Sequence, residues 1–451
     1  MTPPTDSAAG DAARERRLPA EADNRDHAGL VRLCLIAVVG GILIGLIGGA
    51  FRWGLEHATT WRVELVAWVG DAPGPAWLAP ILVTAVGAGL ARWLVTFSPN
   101  AAGSGVQEVE GVWSEELPAP KLRVLPIKFV GGLLAIGSGM VLGREGPTVQ
   151  MGSTIGAEAS RRLGISGLDA KILQVALAGA GLGVAFNAPI GGAIFVFEEV
   201  TKSFRPKLVM TTLIGCAVAV GCSRIIMGDR PDFVVEQPLA PPVTDLWIYV
   251  LFGLALGLLG AAYNKLVLGG LRIADGMTAI HPVVRAAAIG AVVGAVLLVD
   301  PLAVGGGDDL TQNLLGGERM ALTAVLGYVL VRSLTGPLSY AAGTPGGLFA
   351  PLLAVGALWG AAATPLVADL VPSFSLQGSP LMIVGMAAFF AGIVRAPLTG
   401  VVLAMEMTAA PALAVPLLAA GFAATLSATL VGSPPIYDSL KARSIRALQR
   451  T

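Results

Sequence analysis

From about residue 30 to residue 432 the chain alternates long apolar blocks with short polar breaks. The blocks fall near 30–50, 77–97, 122–142, 169–200, 208–227, 246–270, 283–303, 319–334, 346–368, 380–409 and 411–432. The first, flanked by Arg32 and Arg52, is long enough to cross a bilayer at about 20 residues per helix. The pattern predicts an all-α polytopic membrane protein. Block lengths are uneven, and Gly-Pro pairs cut into them repeatedly. Close helix packing accounts for many of the glycines, but not for the proline placements. Backbone breaks at membrane depth survive only where protein or a wet cavity satisfies the freed polar groups. Broken helices therefore predict a site in mid-membrane.

The polar stretches set the organisation. Residues 1–28, with Arg14, Arg16, Arg17 and Arg25, read as a cytoplasmic tail, because no signal-type apolar core follows in register. Further basic clusters lie at Arg161 and Arg162, at Lys202, Arg205 and Lys207, and at Lys441, Arg443, Arg446 and Arg450. By the positive-inside rule these face the cytoplasm, as do both termini. The Pro-rich segment 229–244 (DRPDFVVEQPLAPPVT) separates a first membrane half, 29–228, from a second, 245–436. Residues 437–451 are expected to form a cytoplasmic C-terminal helix, with no regulatory domain after it.

The two halves repeat each other. Ala188-Pro189-Ile190-Gly191-Gly192 leads to Glu198, and Ala396-Pro397-Leu398-Thr399-Gly400 leads to Glu406. Upstream, Gly143-Arg144-Glu145-Gly146-Pro147 matches Gly347-Leu348-Phe349-Ala350-Pro351 in its Gly and Pro positions. The same order at nearly the same offset indicates an internal duplication and suggests a transporter with its site where the repeats meet. Whether the repeats are inverted is left open by these motifs.

Composition narrows the class. Of 451 residues 54% are hydrophobic, 59 more are glycine and only 13% are charged. Soluble domains carry about 25% charged residues, so an ordinary cytosolic enzyme and a disordered chain are excluded. A net charge of zero gives a nucleic-acid partner no electrostatic support. Cys34, Cys216 and Cys222 lie in apolar runs without a CxxC motif, and three histidines make no metal constellation. Neither cofactor nor metal is expected, and an intramembrane enzyme finds no nucleophile–base pair.

Candidate chemistry lies in three segments that open helices: Gly103-Ser104-Gly105-Val106-Gln107-Glu108, Gly143 to Pro147 and Gly347 to Pro351. Small residues there free backbone N–H groups, and proline early in a helix removes a donor that has no partner anyway. Helix N-termini aimed at one point make an anion site without a full cation. A buried Lys or Arg would hold the anion too tightly for release. Glu145 is the ionisable group at this depth, where such groups are usually functional. Ionised, its side chain can occupy an adjacent anion site; protonated, it leaves. Of the pair Glu198 and Glu199, Glu198 reads as a solvated helix end paired with Lys202, while for Glu199 both a structural and a functional reading stay open. Asp308 and Asp309 follow three glycines and read as a loop and helix cap. An aromatic at Tyr437, in Pro434-Pro435-Ile436-Tyr437, is ordinarily an interfacial anchor.

Together these residues resemble the CLC family of chloride channels and proton-coupled chloride transporters. GSGVQEVEG is similar to the family's GSGIPEIEG segment, and GREGPTVQMG contains its GREGP motif. GGLFAP is similar to GxFxP, FNAPIGGAIFVFEE to the segment ending in the inner glutamate, and PPIYDSL to the pore tyrosine segment. The resemblance spans residues 30 to 450 in the family's order. It implies a homodimer with one pathway per subunit, each subunit built of two inverted halves with roughly 17–18 tilted and half-membrane helices. Ser104, Gly105, Val106, Arg144, Gly146, Leu348, Phe349 and Tyr437 would then surround the anion. The Ser104 and Tyr437 hydroxyls and the N–H groups of Leu348 and Phe349 would bind it directly. Glu145 would be the gating glutamate and Glu199 the internal proton-transfer group. A glutamate at position 199 favours an H+/Cl− antiporter of a bacterial inner membrane over a passive chloride channel of the same fold. Ser104 and Tyr437 favour chloride over nitrate or fluoride. Gln107 departs from the family's proline, and Gly305-Gly306-Gly307-Asp308-Asp309 from its GGGFN.

Overall fold

The computed structural model describes residues 27–235, 240–371 and 380–449. Most of the expected N-terminal tail, part of the linker and the last two residues therefore lie outside the described residues. Those described form seventeen α-helices, nine of them long and apolar enough to cross a membrane. The first eight are α1 (His27–Asp71), α2 (Leu78–Val95), α3 (Val106–Trp113), α4 (Val124–Gly137), α5 (Glu145–Arg162), α6 (Gly167–Phe186), α7 (Pro189–Phe195) and α8 (Pro206–Met227). The next eight are α9 (Leu246–Gly276), α10 (Pro282–Val299), α11 (Asp308–Leu315), α12 (Leu322–Ala341), α13 (Phe349–Leu370), α14 (Pro380–Val394), α15 (Pro397–Thr408) and α16 (Ala414–Leu430). Helix α17 (Ile436–Leu448) closes the described chain.

Three apolar blocks differ from the simplest reading of one helix per block. The first runs on through 45 residues, about 68 Å at 1.5 Å per residue, so it must tilt or protrude from a core of about 30 Å. The blocks 169–200 and 380–409 each split into two helices. Asn187 (φ 50) and Arg395 (φ 74) take the left-handed conformation there, and the Ala-Pro that follows starts a new helix.

Eight helices recur in the same order, each half beginning with a long helix and ending with a crossing one. Partners pack alike: α1 lies on α8 as α9 lies on α16, and α5 lies on α6 as α13 lies on α14. Glycine permits the closest approaches. A methyl group at Gly45 would strike the backbone of Ala219 in α8, and one at Gly253 the backbone of Ala420 in α16.

Reciprocal contacts fix the relative direction of the halves. The Glu198 carboxylate accepts from Leu398 N (3.0 Å), Thr399 N (2.7 Å) and the Thr399 hydroxyl (2.7 Å), at the start of α15. Its repeat mate Glu406 accepts from Ile190 N (3.1 Å) and Gly191 N (2.6 Å), at the start of α7. Each glutamate sits toward the C-terminal end of its own segment and caps the N-terminus of the other. The two segments are therefore antiparallel about a pseudo-two-fold axis, and the halves are inverted. Glu198 is thus a cap between the halves rather than a solvated partner of Lys202, which pairs instead with Asp438 at 3.7 Å.

Candidate functional site

The helix-opening loops meet on the same axis. Gly143 N donates to Gly347 O (2.9 Å) and Gly347 N to Gly143 O (2.8 Å). The third loop joins them through Gly103 N to Thr344 O and Gly346 N to Gly103 O, both 3.1 Å. Gly105 ends that loop at φ 91, a left-handed turn suited to glycine, immediately before Val106 starts α3. Gly146 touches the same turn: a Cβ there would lie 2.7 Å from the Ser104 hydroxyl and carbonyl oxygens.

Lys128 holds this turn in place, a residue that motif reading passed over. Its Nζ, fully buried, donates to Gly103 O (2.6 Å) and Ser104 O (3.1 Å). Arg332 does the same in the other half, donating to Val304 O (3.2 Å) and Gly305 O (2.9 Å). That loop ends at Gly307 (φ 97) before α11, so the unassigned Gly305–Gly307 run is the repeat counterpart of the Gly103–Gly105 turn. Gly307, not an aspartate, occupies the N-cap, and Asp308 lies in the first helical turn. A lone cation within each apolar helix was the legible signal for both basic residues.

Glu145 lies fully buried at the start of α5. Its Oε1 accepts from Phe349 N at 2.6 Å, at the first residue of α13, and Oε2 has no hydrogen-bond partner among the described residues. Methyl groups on Gly143 or Gly347 would collide with this carboxylate, so the two glycines form its cradle. Phe349 is anchored by ring contacts with Phe390 (4.7 Å), Phe195 (5.6 Å) and Tyr437 (5.6 Å). Leu348, also buried, precedes it as the helix N-cap.

Ser104 and Tyr437 face this carboxylate. Both are fully buried, and the phenol is close to Ser104 and to Glu145. Neither hydroxyl makes a hydrogen bond to any described residue, although buried hydroxyls ordinarily do. Tyr437 is therefore an inward group and not the interfacial anchor that an aromatic there ordinarily makes. The Ser104 N–H is taken by the Tyr340 phenol at 3.3 Å. Gln107 is buried, and its side-chain carbonyl oxygen is without a protein partner. Two hydroxyl donors and a helix N-terminus around one point suit a small anion.

Glu199 occupies a separate place. It lies in a single π turn, Val196–Val200, continuing α7; such turns often mark functional sites. Glu199 and Glu110 on α3 are both buried, and the π turn packs against α3. Glu110 stood inside the GSGVQEVEG segment but drew no attention there.

Arg144 turns to the opposite side. Its Nε donates to Ala185 O (2.8 Å) and its Nη2 to Asp232 (2.8 Å). It lines a polar cavity of about 570 Å³, shared with Arg52, Glu56, Arg62, Asp232 and Asp308.

The model of the voltage-gated chloride channel family matches residues 87–429. The chain belongs to this family. H+/Cl− exchange transporter ClcA of Salmonella typhimurium is 36% identical over 431 residues, covering 93% of this chain and 90% of that protein. ClcA of Cronobacter sakazakii is 37% identical over 432 residues, covering 94% and 91%. Among solved structures, a slow cyanobacterial Cl−/H+ antiporter superposes with a TM-score of 0.88 at 30% identity, over 92% of this chain and 98% of its own. A CLC-type fluoride/proton antiporter shares the fold, with a TM-score of 0.75 at 21% identity over 90% and 97%. The chain is thus a multi-pass CLC membrane protein.

Proposed function

We propose that the protein is a proton-coupled chloride antiporter and not an enzyme, working as a homodimer in a bacterial inner membrane with both termini in the cytoplasm. The observation that carries this reading is the Glu145 carboxylate on the Phe349 N–H, beside the unpartnered hydroxyls of Ser104 and Tyr437. The names of the ClcA relatives and of the cyanobacterial antiporter support it. An ionised Glu145 and an anion compete for the same N–H donor. Protonation removes the charge that holds the carboxylate there, and chloride takes its place. Proton arrival and chloride entry are thereby tied together. Leu348 and Phe349 supply the helix terminus, and Gly105, Val106 and Gly146 the close-packed wall behind Ser104. Arg144 biases the outer mouth toward anions. On the inner side the pathways divide, and Glu199, with Glu110 nearby, passes the proton.

The experiment is purified protein in liposomes with a chloride gradient and a recording of external pH. Protons driven against their own gradient by chloride are expected. Chloride flow with a flat pH record would make the protein a passive chloride channel and Glu199 an ordinary helix-end acid.

A further inference from the structure

Segment 229–235, expected to be a mere linker, is strapped to both halves. Asn187 Nδ2 donates to Arg230 O (2.7 Å), and Arg224 pairs with Asp229 (2.7 Å) in the first half. In the second half, Phe233 N donates to Met407 O, and Val234 exchanges two hydrogen bonds with the Gln312 amide, all at 2.9 Å. Between these ties lies Asp232, its side chain only 2% exposed. One oxygen accepts from Arg52 (2.6 Å) and the other from Arg144 (2.8 Å), both arginines themselves buried. Asp308, at 3.5 Å from Arg144, is a more exposed and more distant partner.

A buried ion triad is weak evidence for stability, because desolvation offsets much of the attraction. Its place suggests another use. Arg144 precedes Glu145 directly, and the triad lines the polar cavity on the far side of Arg144 from that residue. Two guanidiniums without Asp232 would hold an anion more tightly at the mouth, whereas none would leave little to attract it. With Asp232 the three side chains carry a single net positive charge, within a lining of five arginines and five carboxylates. We propose that Asp232 is a positioning residue that sets the charge of the outer mouth, pairing with Arg52 and Arg144 so that the mouth gathers chloride without trapping it.

The inference rests on the transport reading, and the wild-type protein in liposomes tests that reading first: without coupled exchange in wild type, the reading itself fails. The proposal is tested by measuring initial chloride flux against chloride concentration on the cavity side, at low ionic strength and again with an impermeant organic salt. Asp232→Asn, which adds one positive charge, is expected to lower half-saturating chloride about fivefold and slow turnover. Arg52→Gln, which removes one, should raise it by a similar factor. Arg52→Gln combined with Asp232→Asn restores the net charge and should return half-saturation to the wild-type value. Added salt should shrink both single shifts, which a purely structural defect would not show. Should Asp232→Asn fail to assemble, the opposite shift of Arg52→Gln carries the test. Half-saturating chloride unchanged in Arg52→Gln, a double variant that stays away from the wild-type value, or shifts insensitive to salt, would overturn the proposal.

Discussion

Gly143→Ala separates the position of the Glu145 carboxylate from its presence. The three atoms nearest a Cβ at residue 143 all belong to that carboxylate, the mobile end of a side chain. The backbone of Gly143 has no positive φ to forbid alanine, and its two hydrogen bonds with Gly347 do not involve the added methyl. The substitution therefore pushes the carboxylate off the Phe349 N–H while leaving its proton chemistry in place. A hydrogen bond to a charged group is worth about 1.5–3 kcal/mol, so occupancy of the N–H by the carboxylate should fall roughly tenfold to a hundredfold. In wild type, chloride flux should decline as pH rises, because the ionised carboxylate then competes with chloride. In Gly143→Ala, flux at high pH should stay near its low-pH value and fewer protons should move per chloride. Liposome efflux recorded with an external pH electrode, across a pH series and beside Glu145→Gln, reads both quantities. A Gly143→Ala protein that folds and keeps the wild-type pH dependence and exchange ratio would show that carboxylate placement does not gate the anion.

Two further substitutions address the surrounding residues. Glu199→Gln should stop proton movement while chloride still passes, and proton flux equal to wild type would remove Glu199 from the proton path. Lys128→Met leaves two buried carbonyls, Gly103 O and Ser104 O, without their cation, at about 1–3 kcal/mol for each lost partner. It should lower thermal stability in detergent and weaken chloride binding by calorimetry, and an unchanged affinity would mean that the turn holds its shape without Lys128.

Much of the fold could be read from the chain because its signals are local. Apolar blocks, Gly-Pro cuts and a repeat offset near 204–208 need no tertiary knowledge. The three helix-opening loops were equally visible, since glycine and proline mark helix starts wherever they fold. What escaped depended on pairing between distant segments. Nothing near Asp232 in the sequence indicates that Arg52 and Arg144 converge on it, and the Pro-rich surroundings suggested only a spacer. Glu198 looked solvated because its neighbour Lys202 offered a local partner, whereas its true donors lie 200 and 201 residues away. The split after Asn187 and Arg395 was hidden by uninterrupted apolar character on either side. Glu110 was inconspicuous because its nearness to Glu199 exists only once α3 and the π turn are brought together.

The reciprocal ties between the inverted halves restrict what can move. The Gly143–Gly347 backbone pair and the two crossed caps, Glu198 on α15 and Glu406 on α7, stitch the seam at several heights. Swinging one half against the other, as a rocking gate would, tears these bonds together, most of them at least partly removed from water. The moving part must then be small, a carboxylate leaving its cradle or a phenol stepping aside, while the scaffold stands still. A covalent cross-link from position 198 to position 399 should leave exchange running, and arrest of transport by that link would show that the seam itself opens.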